Sequence, residues 1–260
     1  MLPIEPITSL RNPKVLAWRS VKDKKGRDEH HAFLVEGPKM VEEAFSSRFP
    51  VQAVLIREGY VPPFAIPASV PAFVLPENVF RSVCDTKTPQ GVAAVAGIAA
   101  PELRGQRLLA LDGLQDPGNM GTIIRTADAA GFSGIILSPD CADIFSPKVV
   151  RATMGSIFRI GFSFPESLPA ALTAFRDNGY AVVSSQLDGE PFYERNPIPV
   201  PLILIVGNEG NGISDEVRAV ATHRFRLPMV GGAESLNAAV AAGIMMYDFL
   251  RESSHLRPET

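Results

Sequence analysis

The sequence predicts an α/β protein in two parts: a smaller α/β domain, then a larger domain built on a parallel sheet with helices on both faces. Short apolar strands alternate with stretches of helical spacing along the whole chain, which is the pattern of layered α/β folds. A passage rich in proline, glycine and charge, from Ala99 to Gly105, interrupts that alternation as a linker does. At 260 residues, with 46% apolar and 20% charged side chains, the chain is long and apolar enough for two cores. The expected division is residues 1–98, a linker at 99–105, and residues 106–260.

In the first part, Ser9 or Asn12 is placed to cap a helix with Pro13 in its first turn, and this basic helix is expected to run toward Lys25. Ala32 to Gly37 reads as a short strand closed by glycine, and Pro38 to Phe45 as a helix with Met40, Val41 and Ala44 on one side. Strands follow at Val51 to Ile56 and Ala72 to Leu75, then a helix from Pro76-Glu77 and the apolar run from Val92. In the second part six strands are expected: Arg107 to Leu111, Gly134 to Leu137, Phe158 to Phe162, Tyr180 to Val183, Leu202 to Val206 and Arg224 to Leu227. Helical stretches at Thr122 to Ala130, Pro147 to Met154, Leu168 to Asp177, Ser214 to Ala221 and Ser235 to Leu250 separate them, which implies parallel pairing.

The net charge of −3 and mean hydropathy of +0.11 argue against both a disordered chain and a histone-like basic coat. The average conceals an asymmetry. Residues 1–27 carry seven basic side chains against two acidic ones, leaving 18 against 26 in the remainder. Cys84, Cys141 and the four histidines have no metal-ligand spacing, so neither structural zinc nor a disulfide framework is expected. The start of the chain lacks signal-peptide features, and the longest apolar run, Val92 to Ala100, is half a membrane span. These features predict a soluble, cytoplasmic protein.

Candidate chemistry clusters in loops that follow predicted strands, where open α/β sheets collect their ligands. The first loop, Asp112 to Gly121, leads into a helix carrying Arg125; Asn119 is a plausible N-cap, and Arg125 is either an i,i+3 partner of Asp128 or a functional group. Lys148 and Arg151, three apart on one helix, are either a phosphate-holding pair or a solvated face. The third loop, Gly207-Asn208-Glu209-Gly210-Asn211-Gly212, follows the most apolar strand. Its GxxGxG spacing, late position and lack of a carboxylate about 20 residues on disfavour a dinucleotide fingerprint, while its three glycines favour close approach of a ligand. The fourth element, Leu227 to Asn237, precedes a helix apolar on nearly every side, with Ser235 its expected cap.

Taken together, DPGNMGTIIRTADAAG (Asp116 to Gly131), GNEGNGIS (Gly207 to Ser214) and LPMVGGAESLNAAVAAGI (Leu227 to Ile244) resemble motifs one, two and three of the SpoU (TrmH-type) RNA ribose 2′-O-methyltransferases of the SPOUT superfamily. SLRNPK (Ser9 to Lys14) and FLVEGPKMVEEA (Phe33 to Ala44) are similar to the substrate-binding domain that precedes the catalytic domain in many members. Ala239 stands where a serine is common, and Ile213 where leucine is common. The resemblance implies a deep trefoil knot in the second domain, S-adenosylmethionine as cofactor, no metal, and a homodimer formed partly by the last helix. It implies cofactor contacts from Gly207, Asn208, Glu209, Leu227, Met229 and Leu236. Around the methyl acceptor it implies Asn119, Arg125, Glu209, Ser235 and Asn237.

Ribosomal RNA is the expected substrate, with transfer RNA second. Arginine stays protonated in proteins, so the expected role of Arg125 is to hold a phosphate and stabilise the emerging alkoxide rather than to act as a base. Capture of RNA is expected from Lys22, Lys24, Lys25 and Arg27, with Lys148 and Arg151 contributing. An RNA-binding assembly factor that has lost catalysis is the alternative, disfavoured by the intact motif residues, as is methylation of a base.

Overall fold

The computed structural model describes residues 5–99, 103 and 105–255, with side-chain environments up to residue 252. The chain divides into two compact units, residues 1–99 with 143–158, and residues 100–142 with 159–260.

The first unit runs β1 (Glu5–Pro6), α1 (Pro13–Ser20), α2 (Lys24–His30), β2 (Ala32–Glu36), α3 (Pro38–Phe45), β3 (Val51–Arg57), β4 (Ala72–Leu75), α4 (Glu77–Val83) and β5 (Val92–Gly97). Its sheet has the order β1-β4-β3-β5-β2, parallel on the β1-β4-β3 side and antiparallel where β5 pairs β3 and β2. Trp18, Leu34, Leu55, Phe73 and Phe80 are among the side chains that fill its core. Asn12 is the cap of α1, accepting from Lys14 N at 2.9 Å.

The single basic helix expected to reach Lys25 is two helices. Val21 to Asp23 turn the chain back, and Gly26 packs so closely on the end of α1 that a Cβ would overlap the Ser20 carbonyl. Arg27 finishes the turn from inside. Only 4% exposed, it donates to the carbonyls of Val21 at 3.0 Å and Lys22 at 2.6 Å, satisfying acceptors that the end of α1 leaves open.

The sequence after β5 supplies β6 (Arg107–Asp112), α5 (Pro117–Ala129), β7 (Gly134–Leu137), α6 (Pro147–Ala152), β8 (Gly161–Ser163), α7 (Leu168–Asp177), β9 (Ala181–Pro191), β10 (Leu202–Gly207), α8 (Asp215–Val220), β11 (His223–Arg226) and α9 (Ala238–His255). Residues 143–158, expected in the second domain, belong to the first unit. Phe145 packs on Phe33 and Phe49 at centroid distances of 5.0 and 6.0 Å, and Phe158 on Phe49 at 6.0 Å. Asp143 takes the Arg27 guanidinium at 2.9 Å from Nε and 2.6 Å from Nη2.

The second unit is a six-stranded, all-parallel sheet in the order β11-β9-β10-β6-β7-β8. The strand expected from Phe158 begins only at Gly161, because Ser156–Phe158 form a 3₁₀ turn. The chain starts at β6, builds outward through β7 and β8, then returns to add β10 and β9 on the other side. The order therefore reverses between β6 and β10, and a crevice opens there at the carboxyl ends of the strands. Leu108, Ile136, Val182, Ile203 and Ile205 are buried at the centre of this sheet.

Removing one member of a buried ion pair leaves the other uncompensated, at a cost of about 3–5 kcal/mol. Arg27→Ala is expected to destabilise the full chain by an amount in that range, read as a lower urea midpoint. Arg27→Met combined with Asp143→Leu is expected to recover most of the loss.

Candidate active site

The crevice between β6 and β10 is closed by side chains that cross it. Asp112, the last residue of β6, accepts from Ser214 N at 2.7 Å, and Asn208, which follows β10, donates from Nδ2 to the Gly113 carbonyl at 2.7 Å. The other end of the Asn208 amide accepts from Gly210 N and Asn211 N at 2.9 and 3.0 Å, folding the glycine-rich loop on itself. Gly207 belongs to this packing: a Cβ there would overlap the backbone of Gly212. Its glycine is required by the loop, where the sequence suggested approach of a ligand.

Glu209 is the hub. Its carboxylate accepts from Gln115 N at 3.3 Å, Asp116 N at 3.1 Å and Asn119 Nδ2 at 3.0 Å. Asn119 Oδ1 in turn accepts from Asn237 Nδ2 at 2.9 Å, and Asn237 Oδ1 accepts from Ala239 N and Val240 N at 2.9 and 3.2 Å. Three motifs that lie far apart in sequence thus meet through Asn119, Glu209 and Asn237. Two capping assignments change in consequence. Asp116, not Asn119, caps α5, accepting from Asn119 N at 2.7 Å, and Asn237, not Ser235, caps α9. The Asn119 side chain is thereby left to link Glu209 with Asn237.

Burial pushes the Glu209 carboxyl up, but the hydrogen bonds from Asn119, from its own N–H and from Asp116 and Gln115 outweigh this and hold it below the ordinary value. A carboxylate that already accepts several hydrogen bonds is a weak proton acceptor, and these bonds tie Glu209 to Asn119 and the Asp116 loop. Arg125 is exposed on α5, and its expected alternative partner is engaged elsewhere: Asp128 pairs with Arg159 at 2.8 Å. Among the described residues Arg125 has no ion pair, which leaves its guanidinium available to a ligand.

Beside this cluster lies a cleft of about 370 Å³, large enough for a nucleoside-sized ligand. Leu227, Met229 and Leu236 give it an apolar side; Asn208, Glu209 and Ser235 line it as well. Both Gly210 and Gly212 line the cleft; a Cβ on Gly210 would meet nothing nearer than Asn208 Oδ1 at 3.6 Å, while Gly212 has a positive φ of 70° that favours glycine. The sequence analysis missed part of the lining, Gln186, Asp188 and Arg218. It ended β9 at Val183, where the apolar run stops, although the strand continues to Pro191. The alternation of Ser184, Gln186 and Asp188 was the available signal.

The basic residues expected to capture RNA divide into two classes. Arg27 is buried against Asp143 and is not available to RNA. Lys22 donates to the carbonyls of Ser82 and Cys84 at 2.8 and 3.4 Å, and Arg151 pairs with Asp85 at 2.7 Å and Glu36 at 3.4 Å, so both are committed within the first unit. Lys24, Lys25 and Lys148 are exposed and have no ion pair among the described residues.

The lowered Glu209 pKa sets a pH dependence. Its contribution to stability is fully present above the ordinary carboxyl value of 4.5 and is lost as pH falls through the lowered folded value. Comparing urea midpoints of the native chain and Glu209→Gln across pH 3 to 7 is expected to show a gap that is constant above about pH 5 and closes in acid.

Known proteins resemble this chain in sequence and in fold. The SpoU rRNA methylase family profile matches residues 106–247, and an MRM3-like substrate binding domain matches residues 12–94. The chain is 36% identical, over 94% of its length and 98% of the relative's, to the Bacillus subtilis 23S rRNA (guanosine(2553)-2′-O)-methyltransferase. A solved rRNA methyltransferase from Sinorhizobium meliloti with bound S-adenosylmethionine superposes with a TM-score of 0.85 at 33% identity, covering 98% of this chain and 99% of that one. The SpoU methyltransferase AviRb from Streptomyces viridochromogenes, in complex with the same cofactor, gives 0.83 at 26% identity, covering 94% and 99%. With more than half of its length matched to that profile and relatives alike from end to end, the chain belongs to the SpoU rRNA methylase family and is an enzyme, an RNA methyltransferase.

Proposed function

We propose that this enzyme methylates a ribose 2′-hydroxyl of large-subunit ribosomal RNA. The observation that carries the reading is the double role of Glu209, which lines the cleft and at the same time holds Asn119 and the loop before it. A cofactor pocket and an acceptor site built around one side chain keep donor and acceptor aligned, and alignment is most of what an in-line transfer requires.

S-adenosylmethionine fits the cleft and, when bound, supplies an electrophilic methyl group on a sulfonium. Leu227, Met229 and Leu236 offer apolar cover for a flat base, and the Gly207 to Gly212 loop gives backbone close to the ligand. Asn119, Asn237 and Ser235 orient the acceptor ribose. Arg125, exposed and without an ion pair among the described residues, neutralises the adjoining phosphate and the negative charge that grows on the acceptor oxygen. No step calls for a metal. Among the described residues no helix is long and apolar enough to cross a membrane, in keeping with work in the cytoplasm on ribosomal RNA. The trefoil knot that the resemblance implies belongs to this reading as well.

A homodimer completes the proposal. Val240 and Tyr247, about half exposed, share one stripe of α9 with Ile244 at i, i+4 and i+7 spacing. An apolar stripe on a helix that already packs on α5 is covered by a second copy of the chain.

Mapping of 2′-O-methyl groups in a strain lacking this protein is expected to show loss of one site in large-subunit rRNA; loss confined to transfer RNA would overturn the substrate. Arg125→Ala is expected to lower kcat by at least about 100-fold with little change in cofactor affinity. Arg125→Lys is also expected to fail, because an ammonium cannot reproduce the guanidinium fork. Gly210→Val is expected to weaken S-adenosylmethionine binding by about tenfold or more in calorimetry, since Gly210 lines the cleft and a Cβ there meets nothing closer than 3.6 Å.

A further inference from the structure

The wall of the cleft that the motifs do not supply is made by an irregularity in β9. Its partner β11 pairs Arg224 with Ser184 and then Phe225 with Glu190, so residues 185–189 lie outside the β11 ladder. They also lie beyond the pairing with β10, which ends at Ser184. Such excursions re-aim side chains beside active sites. Gly189 closes this one against β11: a Cβ would stand 2.6 Å from Phe225 N.

The excursion is held from α8. Arg218 donates from Nη2 to both oxygens of Asp188, at 2.8 and 2.7 Å, and from Nε to Gln186 Oε1 at 2.9 Å. Gln186 is buried and also donates to Ser184 Oγ, which fixes its amide. Asp188, Gln186 and Arg218 all line the cleft, and none of them lies in the three motifs.

On the reading of the cleft as the S-adenosylmethionine site, we infer that Asp188 accepts hydrogen bonds from the ribose hydroxyls of the cofactor and that Arg218 is the residue that positions it. A carboxylate held on one edge by a guanidinium keeps lone pairs on both oxygens for a second partner, and a vicinal diol presents two O–H donors at matching separation. The placement agrees with the architecture. The glycine-rich loop follows β10, and the carboxylate stands toward the carboxyl end of the neighbouring strand, where nucleotide-binding α/β sheets put their ribose acceptor. The sequence showed no carboxylate about 20 residues after the loop, because the one available precedes it.

The test is calorimetric and uses the full chain with S-adenosylhomocysteine, its 2′-deoxyribose and 3′-deoxyribose analogues, and 5′-deoxy-5′-methylthioadenosine, which keeps the ribose but lacks the amino acid. In the native protein, loss of a hydroxyl is expected to cost about tenfold in affinity. In Asp188→Asn, S-adenosylhomocysteine and methylthioadenosine are both expected to bind about tenfold more weakly, with the penalty for a missing hydroxyl reduced to less than about twofold. Arg218→Lys is expected to shrink the same penalty. Asp215→Asn, which touches Arg218 only at 3.7 Å and lies outside the cleft, is expected to leave it intact. A loosened strand would weaken all ligands alike and preserve the hydroxyl penalty, which would overturn the assignment. A loss for S-adenosylhomocysteine without one for methylthioadenosine would place Asp188 at the ammonium instead. If the native chain binds none of these ligands, the reading of the cleft itself falls.

Discussion

The second unit depends on one constraint: the loops after β6 and β10, the two strands on either side of the reversal in sheet order, are clasped by buried or multiply bonded polar groups. Asp112 to Ser214, Asn208 to Gly113, and Glu209 to the Asp116 loop are three side-chain bridges across that crevice. Each satisfies a backbone group that a simple strand-to-helix connection would leave to water. The same bridges define where a ligand sits, because they leave the cleft as the space that remains beside them.

This explains why the acceptor cluster is polar but contains no group suited to removing a proton. Asn119, Asn237 and Glu209 hold one another, so their orientation is fixed before any substrate arrives. Preorganised dipoles act where charge develops without having to turn toward it, which is the economical way for a site of this composition to favour a transition state. Arg125 is the exception: exposed, with Asp128 held by Arg159, it has no ion pair among the described residues and is open to an incoming anion.

In the first unit, positive charge is spent on structure. Arg27 and Arg151 look alike in sequence to Lys24 and Lys148, yet each reaches a carboxylate that the alternation of strands and helices gave no reason to place nearby. Arginine is suited to such positions because its fork serves a carboxylate and backbone carbonyls at once, as Arg27 does with Asp143, Val21 and Lys22. Of the residues expected to capture RNA, Lys24, Lys25 and Lys148 remain for a polyanion, a smaller set than the charge count suggested.

The sequence by itself determined the α/β class, the strands of the parallel sheet to within a few residues except for the far half of β9, and the three motifs, because each depends on local periodicity or on turn chemistry among near neighbours. It also placed Asn119, Glu209 and Asn237 in one site by resemblance. Only the tertiary structure decided which residue caps α5 and α9, that α1 and α2 are separate, that residues 143–158 pack with the first unit, and that β9 carries Gln186 and Asp188 into the cleft. Each of these turns on a contact between residues distant in sequence: Asn237 with Asn119, Arg27 with Asp143, Phe145 with Phe33, Arg218 with Asp188. Periodicity records which face of an element is apolar. It does not record which distant group will satisfy a buried donor, and that pairing is what separates a structural arginine from a functional one.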